Sequence, residues 1–224
     1  MFIDKAYRWT SFDVVNKIKS LLRYRLGIKK IRIGHAGTLD PLATGLLIVC
    51  TGRATKQIES FQSLDKSYTG TLVLGKTTPS FDLESAPGED IPYDHIDNEQ
   101  IEKTALSFVG EQDQVPPLFS AKKIDGERAY THARKGEHKV LKAQRVHIKS
   151  FDITRIALPE VDFSVSCSKG TYIRSLVRDF GESLDSGAYL KALRRTHIGP
   201  HAIDDAISIQ QFQEEVEHLE KACK

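Results

Sequence analysis

The sequence predicts an α+β (mixed α/β) body, a mixed or antiparallel sheet flanked by helices and built as a single domain over residues 1–224. Three observations carry that class. Some stretches alternate apolar and polar residues with period two, as half-buried strands do. Others repeat apolar residues at helical spacing behind a capping residue. Strands come in runs interrupted by single helices, with no internal repeat, no strict βαβ alternation and no linker of domain-boundary type.

The first helix begins at Thr10 or Ser11, with Asp13 in its first turn; Val14, Val15, Ile18, Leu21 and Leu22 form its apolar stripe, and Gly27 stops it. A short basic strand over Ile28–Ile33 should follow, then a glycine-rich loop, then a buried strand over Leu46–Cys50. Thr51–Lys56 turns into a second helix carrying Ile58 and Phe61. Ser67–Lys76 alternates as a strand with one buried face. Pro79, Pro87, Gly88 and Pro92 break the next stretch into a long surface loop, after which Asp97 and Gln100 form a capping box on a helix with Ile101, Ala105 and Phe108 inside and Gly110 at its end.

Gln114–Pro117 reads as an extended lead-in, Leu118–Lys123 as a short strand, Asp125-Gly126 as a turn and Glu127–Lys135 as a basic helix closed by Gly136. Two long strands, Lys139–Thr154 and Glu160–Ser168, part near Pro159. Gly170-Thr171 caps a helix carrying Ile173, Leu176, Val177 and Phe180; Ala188–Ile198 is a further strand; Ser208 and Gln211 box the last helix, with Ile209, Phe212, Val216 and Leu219 inside.

Hydrophobic content of 40% and charged content of 28% place the chain among soluble globular proteins. No apolar run reaches the roughly 20 residues of a membrane span, and the N-terminus has no secretory pattern. Three widely spaced cysteines, Cys50, Cys167 and Cys223, fit a reducing compartment, and the expected location is the cytoplasm. The net charge of +2 hides an asymmetry: ten acids and one base, Lys103, lie between Pro79 and Asp113, so the remainder holds 31 bases against 20 acids. A basic body with one acidic segment fits a polyanionic partner.

Gly34-His35-Ala36-Gly37-Thr38-Leu39-Asp40-Pro41-Leu42-Ala43-Thr44-Gly45-Leu46-Leu47 is the densest chemistry in the chain. Proline fixes its own φ and biases Asp40 towards extended geometry, so Asp40 sits on a rigid turn. The histidines show no metal-ligand spacing, and neither a Walker loop nor a dinucleotide fingerprint occurs, so no metal and no cofactor are expected. Asp40 is a candidate carboxylate nucleophile. Retaining glycosidases pair two carboxyl groups, whereas this stretch offers one, which suits a glycosyl rearrangement in which the leaving group is kept and reattached. Ser166–Leu176 brings Tyr172 and Arg174 to the start of a helix, and an arginine fork is the natural partner for a buried carboxylate such as Asp40.

Gly34–Leu47 resembles the G-H-x-G-x-L-D-P-x-A-x-G-x-L signature of the TruB family of tRNA pseudouridine synthases. Lys66-Ser67-Tyr68 is similar to the family's K-x-Y strand, Gln114–Gly136 to its Q-x-P-P segment, Ser166–Leu176 to its C-S-x-G-T-Y-I-R segment, and Leu193-Arg194-Arg195 to its L-R-R triplet. The resemblance spans about residues 3–200 in ordered motifs. It implies the pseudouridine synthase fold, with a mostly antiparallel mixed sheet and an RNA-binding arm near residues 114–150. It also implies isomerisation of the T-loop uridine at position 55 of tRNA by a monomer without an obligate protein partner.

On that resemblance Asp40 is the nucleophile, Tyr68 stacks on the target uracil and is placed for proton transfer, and Arg174 pairs with Asp40. Tyr172 lines the pocket, Leu193 packs against the base, and His35 enters the space the flipped base leaves; Lys66, Lys123 and Arg134 contribute to substrate binding. A target base must leave its stack before its glycosidic bond can be attacked, and an aromatic face offsets the lost stacking. Lys122, Lys123, Arg128, Arg134 and Lys135 would grip the RNA backbone, with Lys29, Lys30, Arg32, Arg53 and Lys56 adding to the footprint. Attack at C1′, attack at C6 and a glycal route all fit a single carboxylate. An RNA-folding chaperone and a glycoside hydrolase are the competing readings.

The chain departs from the family at its start, where D-K-P-x-G-x-T-S becomes Asp4-Lys5-Ala6-Tyr7-Arg8-Trp9-Thr10-Ser11. Loss of the proline and glycine predicts a different local loop. The chain also ends at Lys224, before the RNA-binding PUA domain that many relatives carry, so the grip on RNA is expected to be weaker or to rest more on the catalytic body.

Overall fold

The buried apolar run near residue 46 is the strand β3 (Thr44–Thr51), and its two faces serve two cores. Because strand side chains alternate, Leu47 and Val49 point to one side and Leu46, Ile48 and Cys50 to the other. The first pair joins Ile3, Val14, Val15, Ile18, Leu21, Phe212 and Val216; the second set joins Ala36 and Ile198, with Ile58, Phe61 and Leu64 packed against them. A strand buried on both faces reads as a continuous hydrophobic run.

The computed structural model describes residues 1–120, 122–124, 127–128, 131 and 141–222. Its backbone divides into two compact units, Met1–Tyr68 with Leu193–Lys224, and Thr69–Ala192. The chain passes between them inside β4 (Lys66–Leu74) and β10 (Ala188–Ile198). No Gly/Pro-rich linker marks either crossing, so the sequence gives no sign of the division.

In the first unit the strand order is β12 (Ile207–Ser208), β1 (Phe2–Lys5), β3 and the second half of β10. The β1–β3 pair is antiparallel, while β12 on β1 and β10 on β3 are parallel. Helix α1 (Ser11–Arg25) is closed at its start by a reciprocal capping box between Thr10 and Asp13 and packs beside the C-terminal helix α5 (Ile209–Ala222). Ser208 and Gln211 exchange the expected box at the start of α5, but Leu219 is 54% exposed and lies outside the core. The basic strand expected at Ile28–Ile33 is displaced: β2 covers Ile33–His35 and pairs antiparallel with β3. Lys29, Lys30 and Arg32 precede it without strand structure, as an exposed run of cations with no apolar face to bury would. A 3₁₀ turn over Gly52–Gln57 leads into α2 (Ile58–Ser63).

In the second unit the order is the first half of β10, then β4, β9 (Glu160–Cys167), β8 (Gln144–Ala157) and β5 (Gly110–Gln114), with β5–β8 and β8–β9 antiparallel. Helix α3 (Asn98–Ser107), boxed by Asp97 and Gln100 as expected, packs on β8. Helix α4 (Ile173–Glu182) places Phe180 against Phe151, which in turn meets Phe163 and Phe108 in edge-on contacts.

Three expectations fail here. Gly110–Gln114 is a strand, hidden in the sequence because its side chains are mostly polar and its partner β8 supplies the order. Leu118–Ser120 is not a strand; instead β6 (Lys123–Ile124) pairs with β7 (Glu127–Arg128), so Glu127–Arg128 does not start a helix. Helix α4 takes Tyr172 as its N-cap without a side-chain bond, rather than Gly170-Thr171. The Asp125-Gly126 turn, Lys139, Val140 and most of the Glu127–Lys135 helix lie outside the described residues.

Candidate active site

Asp40 lies in the first unit, on the loop between β2 and β3. Four of that loop's carbonyls accept hydrogen bonds from groups anchored elsewhere in the unit. Arg195, 1% exposed, donates from Nη2 to Gly37 O (3.2 Å) and from Nη1 to Thr38 O (3.3 Å), while its Nε reaches Leu46 O (2.8 Å). Ser11 Oγ donates to Leu39 O (3.2 Å) and accepts from Leu39 N–H (2.9 Å). Pro41 O accepts from Arg8 N–H (2.8 Å) and from Lys5 Nζ (3.3 Å). The loop that carries Asp40 is thus shaped from behind, through its backbone.

Two of the signature glycines have steric reasons. Gly37 takes φ +97°. Gly45, at φ +105°, faces Arg195 in the parallel β3–β10 register, and a Cβ there would lie 2.3 Å from the Arg195 carbonyl. Only glycine lets the strand bearing Arg195 approach closely enough for its side chain to reach the loop.

Lys5 is fully buried, and its ammonium also donates to Trp9 O (2.6 Å) and Ala6 O (3.1 Å). Burial pushes its pKa down to about 8; the Asp40 charge pulls it back up, and the Arg195 charge adds to the depression. His35 ends β2, half-buried. Burial holds its imidazole below the ordinary histidine range, the Gly37 backbone opposes this, and the Arg195 charge reinforces it. These effects together favour the neutral imidazole.

Tyr68 (8% exposed) and Leu193 (9% exposed) are also in the first unit. The buried Lys66 donates to Gln62 O (2.6 Å) and Leu64 O (2.5 Å), the carbonyls that end α2. Arg194 forks onto Asp4 (2.8 and 3.1 Å).

Arg174 and Tyr172 belong to the second unit. Arg174 is 3% exposed and donates to Ser80 O (3.1 Å) and Phe119 O (2.9 Å), with Asp82 at 3.6 Å. Asp82 is itself buried, and its Oδ1 accepts from Ser80 Oγ (2.6 Å) and Glu84 N–H (2.9 Å). So part of the acidic segment expected as a surface loop is interior: Ser80 and Asp82 are buried against the Arg174 cation. Gln114 pins the Tyr172 backbone from both sides, Nε2 to Tyr172 O (3.1 Å) and Tyr172 N–H to Oε1 (2.8 Å). The side chain of Lys123 and all of Arg134 lie outside the described residues.

The family model described as TruB family pseudouridylate synthase (N terminal domain) matches residues 23–173, and the tRNA pseudouridylate synthase B C-terminal domain matches residues 174–223. The chain belongs to the TruB family. A protein named tRNA pseudouridine synthase B from Flavobacterium johnsoniae is 53% identical over 97% of this chain and 95% of its own length; one of the same name from Phocaeicola vulgatus is 51% identical over 98% and 94%. Among solved structures, a Cbf5-Nop10-Gar1 complex matches 95% of the chain with a TM-score of 0.71 at 29% identity, the chain spanning 53% of that neighbour. An H/ACA RNP bound to a substrate RNA matches with a TM-score of 0.72 at 24% identity, which shows the shared fold.

The TruB resemblance assigns roles to Asp40, His35, Tyr68, Tyr172, Arg174 and Leu193, and the structure adds the groups that hold the Asp40 loop from behind. Lys5 and Arg195 fall within quoted motifs but received no role there, because a lone cation in a strand does not disclose what it will bond; the Gly45 signal, a glycine forced by a close strand crossing, pointed to the second. Asp82 was hidden in a run of acids whose other members are mostly exposed.

Proposed function

We propose that this protein isomerises the T-loop uridine at position 55 of tRNA to pseudouridine, with Asp40 as nucleophile. The observation that carries the reading is the single carboxylate of the family signature, held on a loop whose shape is set by Arg195, Ser11 and Lys5 acting on its carbonyls. Such a loop presents its side chain from a fixed backbone, which is what a positioned nucleophile requires.

The chemistry needs no water and no second substrate. The bond from C1′ to N1 breaks and one from C1′ to C5 forms; N1 gains a proton and C5 loses its hydrogen to solvent. Asp40 supplies the carboxylate, by attack at C1′, attack at C6 or through a glycal. Tyr68 is assigned to the flipped uracil's face and to proton transfer, Leu193 and Tyr172 to the walls of its pocket, and His35 to the gap left in the RNA. Arg174 is assigned the cation that keeps Asp40 ionised.

The test uses a tRNA transcript tritiated at uridine C5. Wild-type protein releases tritium, and Asp40→Asn is expected to release it at least about 10³-fold more slowly, given the loss of a covalent step. Tight tRNA binding without release by wild type would favour a chaperone and sink the isomerase.

A further inference from the structure

The turn Ala6-Tyr7-Arg8-Trp9 lies before residue 23, where the family model begins. Its Trp9 N–H closes onto Ala6 O (3.3 Å), and Arg8 takes φ +66°. This is the left-handed position of a tight turn, where glycine or asparagine fits and a long side chain is strained. The backbone here is of the glycine type, yet an arginine stands on it. The side chain is exposed, stacked with its Cζ 5.6 Å from the Tyr7 ring centroid, and Tyr7 is 49% exposed. Among the described residues no carboxylate pairs with Arg8.

The turn is fastened to the nucleophile loop. Arg8 N–H donates to Pro41 O at 2.8 Å, and Lys5 Nζ bridges Ala6 O and Pro41 O. Pro41 directly follows Asp40, so the strained arginine is tied to the residue next to the nucleophile. We propose that Arg8 is a substrate-binding residue whose guanidinium, braced on Tyr7, grips an RNA phosphate next to the flipped uridine. An arginine fork matches phosphate geometry, and stacking on an aromatic face orients it before the RNA arrives. Backbone strain persists where the side chain it displays is used. Holding a phosphate beside the target is what extruding a base about its backbone requires.

The inference rests on the tRNA reading above, and the experiment separates the two. Binding of a T-arm stem-loop RNA is measured between 50 and 300 mM salt, roughly the range in which counterion release dominates, for wild type, Arg8→Gly, Arg8→Asn and the control Lys103→Gln in the acidic segment. Both Arg8 variants keep a residue suited to the left-handed turn. They are expected to bind about fivefold more weakly at 0.1 M salt and to flatten the slope of log K against log[salt] by about 0.7–0.9, one phosphate's share. Arg8→Gly is expected to raise Tm by about 2 °C at the same time, by relieving the turn. Lys103→Gln leaves the slope unchanged. Arg8 variants with wild-type affinity and slope overturn the proposal. Absence of tritium release by wild type would instead overturn the isomerase reading, while the slopes still decide whether Arg8 meets RNA.

Discussion

Two buried arginines, one in each unit, show two ways of keeping a guanidinium out of water. Arg195 makes its bonds to three carbonyl oxygens, all in or beside the nucleophile loop. Arg174 makes two to carbonyls and has a buried carboxylate, Asp82, beside it. The first arrangement fixes backbone shape; the second creates a charge pair in which each member depends on the other. Carbonyls left without a donor and a carboxylate left without a cation are both costly in the interior, but for different reasons and with different partners exposed to the loss.

The largest effect is expected at Arg195. Arg195→Met removes donors from Gly37, Thr38 and Leu46 at once, at a cost of about 3–5 kcal/mol in urea unfolding, and tritium release should fall with it because the loop loses its template. Arg195→Lys keeps the charge but lacks the fork, and should recover less than half of the loss. Full recovery by lysine would mean that charge, not geometry, matters there.

At the other arginine, the comparison is sharpened by a double-mutant cycle between Arg174→Met and Asp82→Asn. Arg174→Met takes the cation from the buried Asp82 and Asp82→Asn takes that carboxylate's charge from Arg174, at about 2–3 kcal/mol each, and the double change should cost less than their sum by at least about 1 kcal/mol. Additivity to within about 0.5 kcal/mol would dissolve the pair.

The difference between the two arginines also explains what the sequence could disclose. The starts of helices with capping boxes, those at Thr10, Asp97 and Ser208, were legible to within a residue because the signal is local. So was β10, whose span matches its expected limits, and the nucleophile loop, whose glycines and Asp-Pro step are contiguous. Contacts set by tertiary approach were not. The Arg195 clamp depends on a parallel crossing between strands about 150 residues apart, and β5 is defined by its partner more than by its own residues. Asp82 was unremarkable among ten acids until burial singled it out.

Lys5 tests whether the first unit's cations act through shape or charge, with the smallest expected effect. Lys5→Met removes a donor to Pro41, Trp9 and Ala6 and should cost about 1–2 kcal/mol at pH 7, with the loop still held by Arg195 and Ser11. Its pH dependence carries the sharper information. The folded pKa of about 8 lies below the unfolded value of 10.5, because burial disfavours the ammonium. Between those values the unfolded chain binds more protons than the folded one, so this group's contribution to stability rises as pH increases from about 8 towards 10.5 and is flat below 8. The difference in urea midpoint between wild type and Lys5→Met should therefore widen in wild type's favour across that window. A difference that narrows there would mean that the ammonium is held in its charged form by Asp40 more strongly than burial opposes it, and would move Lys5 from the loop's scaffold into the electrostatics of the nucleophile itself.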